Sequence, residues 1–567
     1  MPASLNIAEL LPEWAVRQPD KPAVKRLHGR AGDLAGELTF AGLEGRCNQL
    51  AARLAAAGVT RGMRVLTLVR PGLDFVPLTF ALFRLGAVAV FLDPGMGLRR
   101  LAAAAAQAAP EALVGEPAAH LFRRLRPGAF RGVRIAVTLG RRWGWGGLAI
   151  PPLLRSPQAG AFQGEPAVPV AAAAPDDIAA ILFTSGSTGP AKGVVYTHGI
   201  FTTQVRLLRQ VYGIGAGDTD LPCFPLFGLF STAMGATVVV PDIAFSHPAK
   251  VDPWRIINAV KRHGVTFSFG SPALWRHVGE ACRDHGTRLP PTLRQLFMAG
   301  APIAPALHRL LLEHALAPGT VTHAPYGATE SLPVATFTGA EVLRETAART
   351  REGAGMCVGP PVPEATVRII RLSDAPIPAW DDALCLPQGE IGEIVVRGPM
   401  VTPAYFNQPE PTRAAKIPAP DGTLWHRIGD TGYLDAAGRL WFCGRKSHRV
   451  RTPQGTLFSI PCEAIFNQHP DVARTALIGL PGADGLSRPA LAVEPLAGRW
   501  PRTAAARRRF AAELRERGRS SPLTGDITAF FFVRAFPVDV RHNVKIGRET
   551  LAAWAAAHPR RAVMAPP

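Results

Sequence analysis

The sequence predicts an α/β protein, with a large multilobed α/β domain over residues 1–443 and a small α+β domain over residues 444–567. Three observations lead there. Helical and strand-like patterns alternate through the first three quarters of the chain, as expected of sheets covered by helices. At 567 residues the chain is several times longer than one hydrophobic core requires. Beyond a break near Gly438 to Arg449 the pattern changes to shorter strands and helices.

Taken in order, Asn48 to Ala57 (NQLAARLAAA) reads as a helix ended at Gly58, and Arg64 to Val69 (RVLTLV) as a buried strand after a turn at Gly62. Phe75 to Leu85 is again helical. Gly86 to Leu92 (GAVAVFL) is a strand running into a turn at Asp93-Pro94-Gly95. From Arg141 to Pro175 glycine, proline and alanine dominate with weak periodicity, which predicts a surface excursion. The longest apolar stretch, Leu226 to Pro241, is interrupted by Gly228, Ser231, Thr232 and Gly235, so it reads as a buried core element rather than a spanning helix. In the small domain, Ala476 to Leu480 and Ala529 to Ala535 are short apolar segments, and Thr503 to Arg517 is an Arg/Ala-rich helix. No internal repeat is apparent.

A hydrophobic content of 47% with 19% charged residues excludes bulk disorder. The net charge of +20 would attract nucleic acid, an anionic membrane surface, or nucleotides and pyrophosphate. Only eight of the 63 basic residues are lysines, and the arginines are scattered rather than gathered in one stripe. The reading is a generally basic soluble protein without a nucleic-acid partner. Clusters such as Arg507-Arg508-Arg509 remain available to an acidic partner or a membrane surface. Seven cysteines lie far apart with no C-x-x-C pair, which fits free thiols in a reducing cytosol. The first residues carry acids early and no basic stretch before an apolar core, so no signal peptide is expected, and the expected location is cytoplasmic.

The most informative segment is residues 177–198, DIAAILFTSGSTGPAKGVVYTH. An apolar strand ends in a loop bearing the hydroxyls of Thr184, Ser185, Ser187 and Thr188, the glycines Gly186, Gly189 and Gly193, and Lys192. A second β-branched run follows. Small residues let backbone N–H groups approach phosphate oxygens, hydroxyls add donors, and lysine adds charge. The Walker spacing is absent, and the following segment reads as strand rather than helix. A flexible linker would not sit between two apolar strands.

The loop TSGSTGPAKG resembles the signature of the adenylate-forming superfamily, which includes acyl-CoA synthetases, luciferases and nonribosomal adenylation domains. Further motifs similar to that family follow in order: Met298-Ala-Gly-Ala-Pro302, Tyr326-Gly-Ala-Thr-Glu330, Gly389-Glu-Ile-Gly-Glu-Ile394, Trp425 to Tyr433 (WHRIGDTGY), Gly444-Arg-Lys446, and the late Lys545 in Asn543-Val-Lys-Ile546. The resemblance implies the adenylate-forming fold with a mobile small C-terminal domain, and ATP and Mg²⁺ as cosubstrate and metal.

Attack of a carboxylate on the α-phosphorus brings anions together, so the site must neutralise charge and align the groups. Glu330 offers the hard oxygen magnesium prefers, with Thr184 as a second candidate ligand. The resemblance places Tyr326 near adenine and Thr329 on phosphate, with Gly327 among the cofactor-binding residues. Gly300 and Ala301 would let backbone approach the adenine face, although by spacing alone they could form only a turn. Asp430 suits both ribose hydroxyls, since one carboxylate accepts two hydrogen bonds, and Arg445 matches a ribose- or phosphate-contacting arginine. Lys545 is the expected adenylation lysine, its ammonium between carboxylate and α-phosphate, with Lys545, Glu330 and Thr329 as the catalytic set. The small domain is expected to swing about Gly444 to Ser447. Ser447 stands where the family usually has an Asp or Lys, so this sequence departs from the pattern at the hinge.

A second departure is Cys223-Phe-Pro-Leu-Phe-Gly228, where acyl-CoA synthetases commonly read Phe-His-x-x-Gly. Pro225 has no proton or donor to give. Asp93-Pro-Gly-Met-Gly97, residues 221–230 (LPCFPLFGLF), residues 441–450 (WFCGRKSHRV) and residues 538–545 (VDVRHNVK) are similar to the β-lactone synthetases of bacterial long-chain olefin biosynthesis. That similarity implies a 2-alkyl-3-hydroxyalkanoic acid substrate, whose own β-hydroxyl would expel AMP to close a lactone, and association with other olefin-biosynthesis enzymes. Leu226 to Leu229 and Val265 to Phe269 are candidate lining for an alkyl tunnel, or plain core. The competing reading is a medium- or long-chain fatty acyl-CoA ligase, which shares the adenylation residues and differs in the acceptor.

Overall fold

The structure is a computed structural model that describes residues 5–157, 162, 166–184, 191–482, 485–538 and 546–565, without the side chains of Pro94 and Thr184. Two seven-stranded sheets dominate. In the first, the strands run in the order 148–150, 135–139, 112–115, 64–68, 88–92, 178–184, 192–197, parallel except for the last pair. In the second the order is 321–323, 295–298, 267–270, 219–222, 237–240, 22–28, 33–39, parallel up to a terminal antiparallel hairpin. Their central strands are almost wholly buried, as in Val88–Leu92 and Thr237–Val240, which is what covered parallel sheets require.

The predicted elements are present with shifted ends. The first long helix spans Phe40–Ala56, so it begins eight residues before Asn48. Thr39 caps it by accepting from the Gly42 backbone N–H. Strands Arg64–Leu68 and Val88–Leu92 flank the helix Phe75–Arg84. The apolar stretch 226–241 divides into helix Phe227–Ala233 and strand Thr237–Val240. Among the described residues no helix is long and apolar enough to cross a membrane. All seven cysteines are free, and six are buried.

An antiparallel third sheet follows, with strands in the order 356–359, 440–445, 424–434, 392–397, 366–370. A fourth sheet, ordered 472–481, 487–495, 529–532, 563–564, is covered by helices Ser459–Phe466, Ala504–Arg519 and Arg548–Ala557. The predicted Arg/Ala-rich helix and both apolar segments of this region are therefore found as a helix and two strands.

Candidate active site

Strand ends from the first three sheets converge on one cavity of about 920 Å³. The sequence candidates Lys192, Gly300, Ala301, Tyr326, Gly327, Thr329, Glu330, Asp430 and Arg445 all line it. Thr184 ends the strand Ile178–Thr184 and pairs in the ladder with Lys192, so the predicted phosphate loop is closed at its base by these two residues. Ser185, Gly186, Ser187, Thr188, Gly189 and Lys545 lie outside the described residues. Ile546, next to Lys545 in sequence, lines the cavity.

At one end a carboxylate is held in place by its neighbours. Asp430 is 5% exposed on the strand Leu424–Leu434, opposite Arg445 on Leu440–Arg445. The Arg445 guanidinium approaches Asp430 Oδ1 at 2.9 Å, and the Tyr326 hydroxyl donates to Oδ2 at 2.7 Å. Asp430's charge raises the pKa of Arg445, and burial beside Asp430 raises that of Tyr326, so the phenol stays protonated. A carboxylate has about four acceptor positions, leaving capacity for vicinal ribose hydroxyls. Gly327 is required by packing: a Cβ there would stand 2.7 Å from the Ser331 carbonyl oxygen. Gly300 adopts φ +90°, a left-handed conformation suited to glycine.

Glu330 follows the short strand Tyr326–Ala328. Its Oε1 accepts from the Tyr405 hydroxyl at 2.6 Å, and its backbone oxygen accepts from Thr402 N–H at 2.9 Å and Oγ1 at 3.1 Å. The Tyr196 hydroxyl donates to the Thr329 carbonyl at 2.5 Å. Lys192 Nζ sits 4.7 Å from the Tyr405 ring centroid. A cation, a phenol and a carboxylate are thus grouped at the mouth of the predicted phosphate loop. Among the described residues no three His, Cys, Asp or Glu side chains gather as a metal-binding cluster. A lone carboxylate suits magnesium, which keeps waters and takes further ligands from phosphates, better than metals that need a protein cage.

Several residues escaped the sequence reading. Tyr405 and Thr402 are two of them. Lys416 is a third: it is 5% exposed, with Nζ 3.4 Å from Thr402 Oγ1. Burial pushes its pKa down to about 7 against the opposing charge of Glu330, and burial with the Lys416 charge holds His426 well below its usual value. Glu393 takes the Arg427 guanidinium on both oxygens, at 3.1 and 2.7 Å, and Lys446 Nζ at 2.9 Å. This ties Lys446, just after the predicted hinge's first residues, to the third sheet.

The other end of the cavity is apolar. Phe224, Pro225, Phe227, Phe230, Phe267 and Phe269 line it, with the Phe227 and Phe269 rings stacked 4.0 Å apart. Of the predicted tunnel residues, Leu226, Phe227, Leu229, Phe267 and Phe269 face the cavity, whereas Val265 belongs to a separate buried core. One polar pair interrupts this wall. Ser231 Oγ donates to Asp220 Oδ2 at 2.6 Å, and burial pushes the Asp220 carboxyl up to about 8. Such a site can bind a nucleotide at its charged end and an alkyl acid at its aromatic end.

Comparison with known proteins identifies relatives of the whole chain. The family described as AMP-binding enzyme matches residues 11–406. An olefin beta-lactone synthetase of Stenotrophomonas maltophilia is 46% identical over 566 residues, 97% of this chain and 98% of the relative. A second, from Xanthomonas campestris pv. campestris, is 46% identical over 560 residues, 97% of each. Among solved structures, the anthranilate CoA ligase AuaEII in complex with anthranoyl-AMP shares the fold, with a TM-score of 0.77 and 19% identity over 99% of each chain.

Proposed function

The chain belongs to the AMP-binding enzyme family, and from that premise we propose that it activates a 2-alkyl-3-hydroxyalkanoic acid with ATP and closes it to a β-lactone. The observation that carries this reading is one continuous cavity joining Glu330, Asp430, Arg445 and Lys192 to a wall of phenylalanines. In the first step a carboxylate oxygen forms a bond to the α-phosphorus and the α–β phosphoanhydride bond breaks, releasing pyrophosphate. In the second, the substrate's 3-hydroxyl oxygen bonds to the acyl carbon, the acyl C–O bond to AMP breaks, and the hydroxyl proton passes to solvent. Because the nucleophile is covalently held near its target, no second substrate is needed.

The chain's own residues supply positioning and charge. Asp430 and Tyr326 hold the ribose and adenine side, with Arg445 fixing the carboxylate. Lys192 and Arg445 bring positive charge toward the phosphates. Glu330, oriented by Tyr405, would hold Mg²⁺, which when bound neutralises phosphate oxygens. Lys545 would place its ammonium between the two reacting anions; its neighbour Ile546 on the cavity wall supports that assignment. We place the boundary between large and small domains at residue 444, supported by a separate core that includes Val450, Phe466, Leu491, Phe510 and Phe530. Rotation about Gly444 to Ser447 would then bring Lys545 in for adenylation and withdraw it afterwards. Two olefin beta-lactone synthetases at 46% identity, and Pro225 on the wall in place of a protic residue, support lactone closure over transfer to CoA.

Incubation of the protein with ATP and a synthetic 2-alkyl-3-hydroxy acid, with and without CoA, tests this. Lactone, AMP and pyrophosphate forming equally in both mixtures are expected. A thioester that forms only with CoA would instead make the protein an acyl-CoA ligase.

A further inference from the structure

One corner of the first sheet carries an unusual surface. Residues 98–147 contain nine arginines, no lysine and only two acids, Glu111 and Glu116. Both acids are engaged: Glu111 by Arg64 and Arg134, and Glu116 by Arg70. Arg124, Arg126, Arg141 and Arg142 are exposed, and none forms an ion pair among the described residues.

Apolar side chains project from the same corner. The helix Pro117–Leu125 buries Ala119 and His120, and Phe122 packs on Phe130 at 5.6 Å. Helical spacing turns Leu121 and Leu125 to the opposite face, where they are 46% and 68% exposed. The loop after strand Ile135–Leu139 is fixed against this helix. Trp145 stacks on His120 at 5.5 Å, its Nε1 donates to Thr138 Oγ1 at 3.0 Å, and its backbone oxygen accepts from Arg123 at 3.5 Å. Trp143 lies 5.5 Å from Trp145 and is 60% exposed.

We propose that this corner docks on the anionic headgroup surface of a lipid bilayer, with Leu121, Leu125 and Trp143 entering the interfacial layer and Arg124, Arg126, Arg141 and Arg142 on lipid phosphates. Tryptophan and leucine beside arginine match what the interface accepts. Basic residues near an anionic surface draw a protein toward it and add to one another. Three projecting side chains are too little for a stable protein interface, which buries on the order of 1,200–2,000 Å², but suffice to anchor a protein already drawn in by charge. The purpose rests on the proposed substrate: an acid with two long alkyl chains partitions into the bilayer, so an enzyme seated there meets it at source.

Co-sedimentation of the full chain with phosphatidylcholine vesicles, and with vesicles that also contain phosphatidylglycerol, tests the docking. Three variants are compared: L121S/L125S/W143S, R124Q/R126Q/R141Q/R142Q, and a control, R507Q/R508Q/R509Q, that removes charge elsewhere. Binding to the phosphatidylglycerol vesicles is expected, weakened about tenfold or more by either corner set and by less than about twofold in the control. Adenylation of a short water-soluble acid, expected to be unchanged, and an unaltered melting temperature establish that the variants are folded. The proposal is overturned if the wild-type chain ignores anionic vesicles, if the leucine and tryptophan variant binds like wild type, or if the control loses as much as the corner. The vesicle assay does not depend on lactone formation, so each reading can fail without the other.

Discussion

The Tyr405 phenol donates to Glu330 Oε1 at 2.6 Å across 75 positions of sequence. Glu330 is thereby held on one oxygen by a side chain whose burial and whose carboxylate neighbour keep it protonated. The proposed Mg²⁺ would be held by the same carboxylate. Hydrogen bonds to charged groups contribute roughly 1.5–3 kcal/mol, so Tyr405→Phe is expected to slow pyrophosphate release about tenfold and to raise the Mg²⁺ concentration needed for half-maximal rate. A Mg²⁺ titration of the two proteins checks this. An unchanged titration would mean that Glu330 does not serve the metal.

The Asp430–Arg445 pair predicts a binding defect rather than a folding one. Asp430→Asn keeps the shape but loses the charge that faces Arg445, and its amide offers fewer acceptors to ribose. The KM for ATP is expected to rise by about tenfold or more, consistent with loss of a charge-assisted hydrogen bond. The KM for the acid should stay nearly constant.

Lys416 gives the site a pH signature. Its folded pKa, about 7, lies below the ordinary lysine value of 10.5, so the fold favours the neutral amine. Stability from this group is lowest under acid conditions and rises as pH climbs from about 7 toward the unfolded value. Over the start of that window the positive charge beside Glu330 disappears. Lys416→Met is therefore expected to slow adenylation at about pH 6 more than at about pH 9, with the ratio to wild type converging as Lys416 deprotonates. A constant ratio across this range would remove Lys416 from the electrostatics of the site.

Asp220 works in the opposite sense on stability. With its carboxyl raised to about 8 in the fold, the protonated form is favoured. Its contribution is greatest below the unfolded carboxyl pKa and is lost as pH rises from there through about 8. Asp220→Asn should flatten that part of the stability profile, measured by urea unfolding at about pH 5 and about pH 8.

The role proposed for Lys545 confines it to the first half-reaction. On that proposal its replacement by alanine would remove a charge needed between the reacting anions, which by analogy with lost oxyanion donors costs on the order of 10²–10³ in rate. Pyrophosphate release should fall by that factor, while lactone formation from a preformed acyl-adenylate should be nearly unaffected. Equal loss in both steps would contradict the domain rotation.

What was legible in the sequence was local. Lys192, Tyr326, Glu330 and Asp430 sit in contiguous motifs, so each could be read with its neighbours, and the cavity collects them. Tyr405, Lys416 and the Asp220–Ser231 pair carry no such signal. The contacts of Tyr405 and Lys416 join segments far apart in sequence, as when Thr402 bonds Glu330 across 72 positions, and the Asp220–Ser231 pair joins a strand to the helix that follows it. The first helix begins earlier than periodicity predicts for a different reason: Gly42 and Gly45 blur its opening turns, and its start is marked by the Thr39 cap. The aromatic wall is only half legible, because a run such as Val265 to Phe269 is divided between core, at Val265, and cavity, at Phe267 and Phe269.

The most direct measurement follows oxygen. The acid is supplied with isotopically heavy oxygen in its carboxylate and ordinary oxygen in its 3-hydroxyl, together with ATP and no CoA, and the products are weighed by mass spectrometry. One heavy oxygen in AMP, none in pyrophosphate, and one remaining in the carbonyl of a product equal to the acid less one water are expected. Heavy oxygen absent from AMP, or found in inorganic phosphate, would contradict acyl-adenylate formation.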